Sequence, residues 1–228
     1  MVINKEKEIF LNKCKEMGFV QDIIDNFHKL YYYSSAYGLG WKNNFWMGVS
    51  IQKNPMDIMV YQELLFREKF DIIIETGTKV GGSALFFANM CDIIDNGEII
   101  TIDINGKGKL PEHKRITYLW GSSVDEAVIK FIESRIENKK VFVILDSDHS
   151  KEHVLKELEI YSQFISIDNY LIVEDTNCSG YPVIGIEGEG PLEALQEFLK
   201  INKDFIPDRS LEKNFFTFNP MGFLKRIK

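Results

Sequence analysis

Four apolar runs of this chain each close on a carboxylate: IIIE at Glu75, IITID at Asp103, VILD at Asp146 and LIVED at the pair Glu174-Asp175. Strand interiors avoid Asp because a buried carboxylate loses its hydration, so each acid is expected at an open strand end. One acid in such a place could cap a helix. Four at the ends of successive strands call for another reason. Like charges gathered on one rim raise one another's pKa unless a cation neutralises them. Oxygen ligands suit a hard divalent ion, Mg²⁺ by preference, whereas zinc would want His or Cys that are not clustered here. His149, three residues beyond Asp146 in DSDHS, adds a group that could move a proton or touch a substrate. It could equally be an ordinary residue in the first turn of a helix.

The first of these acids leads into glycine. In DIIIETGTKVGGS (71–83), Gly77, Gly81 and Gly82 permit a tight turn and a close backbone approach, and Ser83 is placed to cap a helix starting at Ala84. A P-loop would need Lys and Ser or Thr after its glycines, and Gly82-Ser83 offers neither pattern. A dinucleotide fold wants G-x-G-x-x-G so that pyrophosphate can rest on a helix N-terminus. Here the order is Gly77-x-x-x-Gly81-Gly82, and Glu75 would repel pyrophosphate. An acid suits a cationic amine, and S-adenosylmethionine carries an amine and a sulfonium but no phosphate. Asp103 follows Gly82 by about 20 residues, the spacing at which an acid reaches ribose hydroxyls.

The elements that must position these groups alternate. Strands are predicted at 70–75, 98–103, 115–119, 141–146 and 169–174, and helices at 55–66, 83–93, 123–137, 150–163 and 190–201. This order predicts right-handed crossovers and a parallel α/β sheet with helices on both faces. The C-terminal part departs from the rule, with short strands predicted at 205–208 and 215–218 and no helix between them. Asn219-Pro220-Met221-Gly222 fits a type I turn. A Rossmann-like, mostly parallel sheet finished by an antiparallel C-terminal strand is the Class I methyltransferase layout. Upstream, apolar spacing (Ile9, Phe10, Cys14, Met17, Ile23, Ile24, Phe27, Leu30) predicts one or two amphipathic helices over 4–33. The aromatic stretch 31–46 reads as an ordered loop, either a lid beside a pocket or a strap over the core. The expected division is a helical and aromatic lid region at 1–66 and a cofactor-binding domain at 67–228.

Composition narrows the classes. The chain has 228 residues, 45% hydrophobic and 27% charged, enough for one well-buried α/β domain. A net charge of −7 disfavours nucleic acid and polyanionic substrates. Cys14, Cys91 and Cys178 lack CxxC spacing, so neither a disulfide framework nor a zinc knuckle is indicated. No segment reaches 18 apolar residues and no signal-peptide core appears, so a cytoplasmic protein without a membrane span is expected.

The chain resembles the cephalosporin hydroxylase and rhamnosyl O-methyltransferase family of S-adenosylmethionine enzymes. The resemblance is carried by IIETGTKVGGS (73–83), GSSVDE (121–126), VFVILDSDHSKEHVLKELEIY (141–161), YLIVEDT (170–176), GPLEALQEFL (190–199) and DRSLEKNFFTFNPMGFLKR (208–226), with WMGVSIQKNPMDIMVYQEL (46–64) upstream. It implies that Glu75, Gly77 and Ser83 form the methionine-moiety loop, that Asp103 holds the ribose, and that Ser122 and Ser123 lie beside the adenine. It implies Mg²⁺ on Asp146, Glu174 and Asp175, with Asp148 replacing Asp146 if the strand ends later. His149 and Asp146 become the groups nearest the chemistry, and a homo-oligomer is implied.

An aliphatic hydroxyl, with a pKa of roughly 16, lies about 9 units above histidine, so full proton transfer would cost on the order of 12 kcal/mol. Histidine alone does not make an alkoxide, and a metal on the acceptor oxygen fills that gap. The expected activity is Mg²⁺-dependent O-methylation of a sugar-bearing or secondary-metabolite hydroxyl, on a sugar, polyketide or catechol-like acceptor. The rival readings are a nicotinamide-dependent oxidoreductase and a non-catalytic metabolite-binding module.

Overall fold

The computed structural model describes residue 13 and residues 18–106 and 108–228. Its centre is a seven-stranded sheet in the order β5-β4-β3-β6-β7-β9-β8. The strands are β3 (Ile72–Thr76), β4 (Glu98–Asp103), β5 (Ile116–Trp120), β6 (Val141–Leu145), β7 (Tyr170–Val173), β8 (Phe205–Pro207) and β9 (Phe223–Arg226). A separate ribbon pairs β1 (Phe45–Trp46) with β2 (Val49–Ser50). Positive φ at both Met47 and Gly48 gives that hairpin the two-residue type I′ turn.

Strand β3 is buried along its whole length between β4 and β6, with Ile74 level with Ile100 on one side and Val143 on the other. Successive side chains alternate between faces. Ile72 and Ile74 join a core with α4 (Glu126–Ile136), α5 (Lys151–Tyr161) and α6 (Pro191–Ile201). Ile73 joins another with α2 (Pro55–Glu68) and α3 (Gly82–Ile94). Each core helix brings its own residues, Ile132, Leu158 and Phe198 below, Leu64 and Phe87 above, and both faces are covered as the alternation predicts. Asn54 starts α2 by accepting the Met56 amide at 3.1 Å, with Pro55 in the first turn.

Three expectations are corrected. Residues 215–218 form no strand: Phe215 has φ +61, Phe216 and Phe218 pack edge-on against each other, Phe216 is edge-on to His28 and Tyr31 of α1 (Val20–Tyr33), and Phe218 stacks on His28. In the main sheet the single antiparallel strand among the described residues is β9, inserted between β7 and β8. The turn before it closes with Gly222 N–H donating to Asn219 O at 2.9 Å, but Met221 has φ +64, which belongs to a type II turn and not type I. Ser83 caps nothing, because α3 begins at Gly82 behind a left-handed Gly81. Of the predicted N-terminal helices, α1 is present, while Ile9, Phe10, Cys14 and Met17 lie outside the described residues. After α1, the stretch to Trp46 is ordered as two short 3-10 turns, Ser34–Tyr37 and Trp41–Asn43, with Trp41 stacked on Tyr32. Among the described residues no helix is long and apolar enough to cross a membrane.

Candidate active site

All four acidic positions meet at the carboxyl edge of the sheet. The register continues past the strands: Asp146 N–H donates to Thr76 O at 3.1 Å, and Glu174 N–H donates to Leu145 O at 3.0 Å. The acids of neighbouring strands are thereby held level.

The glycine turn is tied to β4, because the amides of Gly77 and Thr78 both donate to Ile102 O. Gly77 has φ +94, a conformation that favours glycine. Glu75 lies beneath this turn, fully buried, and accepts a 2.8 Å hydrogen bond from Thr101 through Oε2. Its Oε1 has no partner among the described residues. Burial pushes the Glu75 pKa up to about 7 against the opposing pull of Lys53, Ser83 and Thr101. Asp103 accepts from the amides of Lys79 at 2.8 Å and Asn105 at 3.0 Å, so it braces the turn.

Two cavities meet over this edge, with Gly77, Asp103 and Ser147 lining both. One, of about 280 Å³, runs from Thr78 and Ser83 to Asp146, His149, Glu174 and Asp175, with Trp41 on its wall. The other, of about 440 Å³, is lined by Ser122, Ser123, Asp148 and His153. His153 pairs with Ser123 Oγ at 3.0 Å.

Within the acidic rim the structure draws a division. His149 Nε2 stands 3.2 Å from both Asp146 Oδ1 and Asp175 Oδ2. One donor atom from each of Asp146, His149 and Asp175 falls within 4.8 Å of the others, a spacing that could hold a metal ion. Glu174 points to the other side. Its Oε1 accepts from Tyr61 at 2.8 Å and its Oε2 from Lys53 Nζ at 2.8 Å, and Lys53 also bonds Asp146 Oδ2. Asn219 completes the brace by donating to the Tyr61 hydroxyl and accepting the Asp175 amide. Asp148 stands apart and accepts the Ser150 amide at 2.7 Å ahead of α5.

The charges follow from these partners. Burial alone would raise the Asp146 pKa, but Lys53 and His149 outweigh it and hold the group low. Burial would lower His149, but Asp146 and Asp175 prevail and push it up to about 9. Glu174 is pushed up chiefly by burial, which Lys53 only partly offsets. The sequence reading expected an acid rim that repels itself without metal. Lys53 corrects that expectation.

Lys53 and Tyr61 were not singled out from sequence, and Asn219 was read only as a turn residue. Lys53 is only 3% exposed, and a lysine inside the segment that links an aromatic ribbon to a helix cap was the available signal. Its partners lie 93 and 121 residues away, beyond any local pattern.

A sequence model of the family described as Rhamnosyl O-methyltransferase/CmcI matches residues 39–227. The chain belongs to that family. Rhamnosyl O-methyltransferases of Mycobacterium tuberculosis and Mycobacterium leprae are each 36% identical to this family member over 90% of its length, covering 85% and 90% of their own. Among solved structures, "CmcI-N160 apo-structure" aligns with a TM-score of 0.64 at 19% identity, over 82% of this chain and 77% of that one. "cmcI-D160 Mg-SAM" aligns with a TM-score of 0.63 at 19% identity, over 82% and 78%. The fold is that of the Class I methyltransferases. As a member of the Rhamnosyl O-methyltransferase/CmcI family the protein is an S-adenosylmethionine-dependent O-methyltransferase, which sets aside the oxidoreductase and the non-catalytic module.

Proposed function

We propose that this protein transfers a methyl group from S-adenosylmethionine to a hydroxyl of a sugar-bearing acceptor, with Mg²⁺ at the acidic rim. The observation that carries the reading is a single cavity with the Gly77–Ser83 turn on one wall and Asp146, His149 and Asp175 on the other. Methyl transfer needs a donor and an acceptor oxygen aligned at short range, and one shared cavity meets that need.

The residues present fit both groups. Glu75 Oε1 is a buried carboxylate oxygen beside the turn still lacking a donor, which suits an ammonium. Gly77, Ser83 and the turn would seat the methionine moiety, Asp103 the ribose, and Ser122 with Ser123 the adenine. Asp146, Glu174 and Asp175 would hold Mg²⁺, and their oxygen donors match a hard cation. Magnesium, when bound, supplies positive charge that stabilises a developing alkoxide. His149 can accept the acceptor's proton only after another cation has taken over Asp146 and Asp175, because those two carboxylates keep the imidazole protonated. Asp148, engaged with Ser150, serves the helix start in this reading.

The relatives' name directs the first acceptor assays to rhamnosyl compounds, whose adjacent hydroxyls can chelate. Residues 1–66 would act as the lid region over the domain at 67–228, and the family resemblance points to a homo-oligomer. The test is calorimetric and enzymatic together. S-adenosylhomocysteine should raise the melting temperature and NAD should not, and methylation of a rhamnosyl acceptor should require added Mg²⁺. Stabilisation by NAD alone would end this reading of the turn. Methylation undiminished in EDTA would end that of the rim.

A further inference from the structure

Lys53 is the buried cation of the acidic rim. Its ammonium is shared between Asp146 Oδ2 and Glu174 Oε2, and it does not line the cavity that holds His149 and Asp175. It therefore acts on the two carboxylates and not on an acceptor. The segment that delivers it is anchored at both sides. Lys53 O accepts from Asn44 Nδ2 at 2.9 Å, and the adjoining Asn54 caps α2. A cation held this way cannot drift off when a second one approaches. Asp146 carries Lys53 on one oxygen and faces His149 with the other, while both oxygens of Glu174 are taken, by Lys53 and Tyr61. A divalent ion using Glu174 must share or displace the Lys53 bond at Oε2 or the Tyr61 bond at Oε1, and only the first partner carries a charge like its own.

We propose that Lys53 is a tethered counter-ion that keeps Asp146 and Glu174 assembled without metal and competes with the divalent ion for them. The inference rests on the reading of Asp146, Glu174 and Asp175 as the metal's ligands. Two consequences follow from Coulomb's law in a buried site. Removing the ammonium takes away a like charge beside the metal, so metal binds more tightly. It also leaves two carboxylates crowded, so the fold comes to lean on the metal. Lys53 is thus a positioning residue that separates the folding of the site from its occupancy.

The test uses Mn²⁺, a hard divalent ion whose free concentration is read by electron paramagnetic resonance. Lys53→Met keeps most of the side-chain length without the charge. It should bind Mn²⁺ at least tenfold more tightly than wild type. Its melting temperature should fall by several degrees in EDTA and recover most of that loss in saturating Mn²⁺, whereas wild type should move much less between the two conditions. Equal or weaker Mn²⁺ binding by folded Lys53→Met, or a melting loss that Mn²⁺ leaves unchanged, overturns the proposal. Mn²⁺ binding by neither protein removes the metal reading and the proposal with it. A second measurement needs no folded variant. The protected ammonium of Lys53 should give a slowly exchanging ¹⁵N signal in wild type, and Mg²⁺ should shift or abolish it. A signal indifferent to saturating Mg²⁺ refutes competition.

Discussion

Gly77 and Asp146 are in backbone contact: a Cβ on Gly77 would fall 1.9 Å from the Asp146 carbonyl oxygen. The turn that would seat the methyl donor and the backbone of Asp146, a carboxylate proposed to hold the metal, therefore meet in one rigid joint. Gly77→Ala must push the two apart in addition to straining a positive φ, so about 1–3 kcal/mol of stability should be lost. Affinity for S-adenosylhomocysteine and for divalent metal should fall together. Titrations of each ligand against the variant check this, and loss of one affinity with the other intact would show that the joint is not rigid.

Glu75 should give the protein a pH signature. Its folded pKa of about 7 lies above the ordinary 4.5, so the folded state holds the proton more tightly than the unfolded chain. Its contribution to stability is complete below about pH 4.5 and disappears as pH rises toward 7, on the order of 3 kcal/mol. Glu75→Gln removes that term. Compared with wild type, the ligand-free variant should gain stability between pH 5 and pH 8 while binding S-adenosylhomocysteine more weakly. Urea midpoints at both pH values decide it, and a relative loss at pH 8 would count against a buried neutral Glu75.

Asp103→Ala should weaken S-adenosylhomocysteine binding by roughly 1.5–3 kcal/mol, the worth of a hydrogen bond to a charged group. Because Asp103 also holds the amides of Lys79 and Asn105, the loss should include a looser turn. Calorimetry with adenosine as a second ligand separates the two, since adenosine lacks the methionine part that the turn would seat. Unchanged binding of both places the nucleoside elsewhere.

On the metal side, Asp146→Asn and Glu174→Gln should lower turnover far more than cofactor affinity. Asp148→Asn should be mild, because that carboxylate serves the Ser150 amide. EDTA should abolish wild-type turnover and Mg²⁺ restore it. A severe Asp148→Asn beside a mild Asp146→Asn would transfer the ligand role.

Tyr61→Phe strips Glu174 Oε1 of its donor and Asn219 of its acceptor, so it should cost about 1–3 kcal/mol. Asn219→Ala added to it should cost less than the two single losses together, because both break the same brace. A double-mutant cycle in urea gives the coupling, and strict additivity would mean that the brace does not work as a unit.

Much of this was legible in the sequence for local reasons. The runs ending in Glu75, Asp103, Asp146 and Glu174 are buried strands, and burial on both faces demands continuous apolar residues, which a sequence displays openly. What failed did so where distant packing overrides local pattern. The Phe-rich stretch 215–218 has strand composition, yet its aromatics serve α1, and the true strand β9 carries a mixed apolar and basic sequence. The division of the rim into a Lys53 side and a His149 side was invisible for the same reason. Acids were readable at strand ends, but the cation that takes up two of their oxygens comes from a segment before the first strand of the main sheet.

The place of β9 between β7 and β8 has a consequence for how the protein is made. A ribosome produces β7 and its acid pair first, β8 next and β9 after both. Strand β8 has no neighbour to zip onto until β9 appears, and Asn219, which fastens the Asp175 amide, is translated 44 residues after Asp175. A nascent chain stalled between these points would carry Glu174 and Asp175 with their fastening still unmade, so the site can lock only as the newest strand docks along β7 and gathers the older β8 onto its outer side.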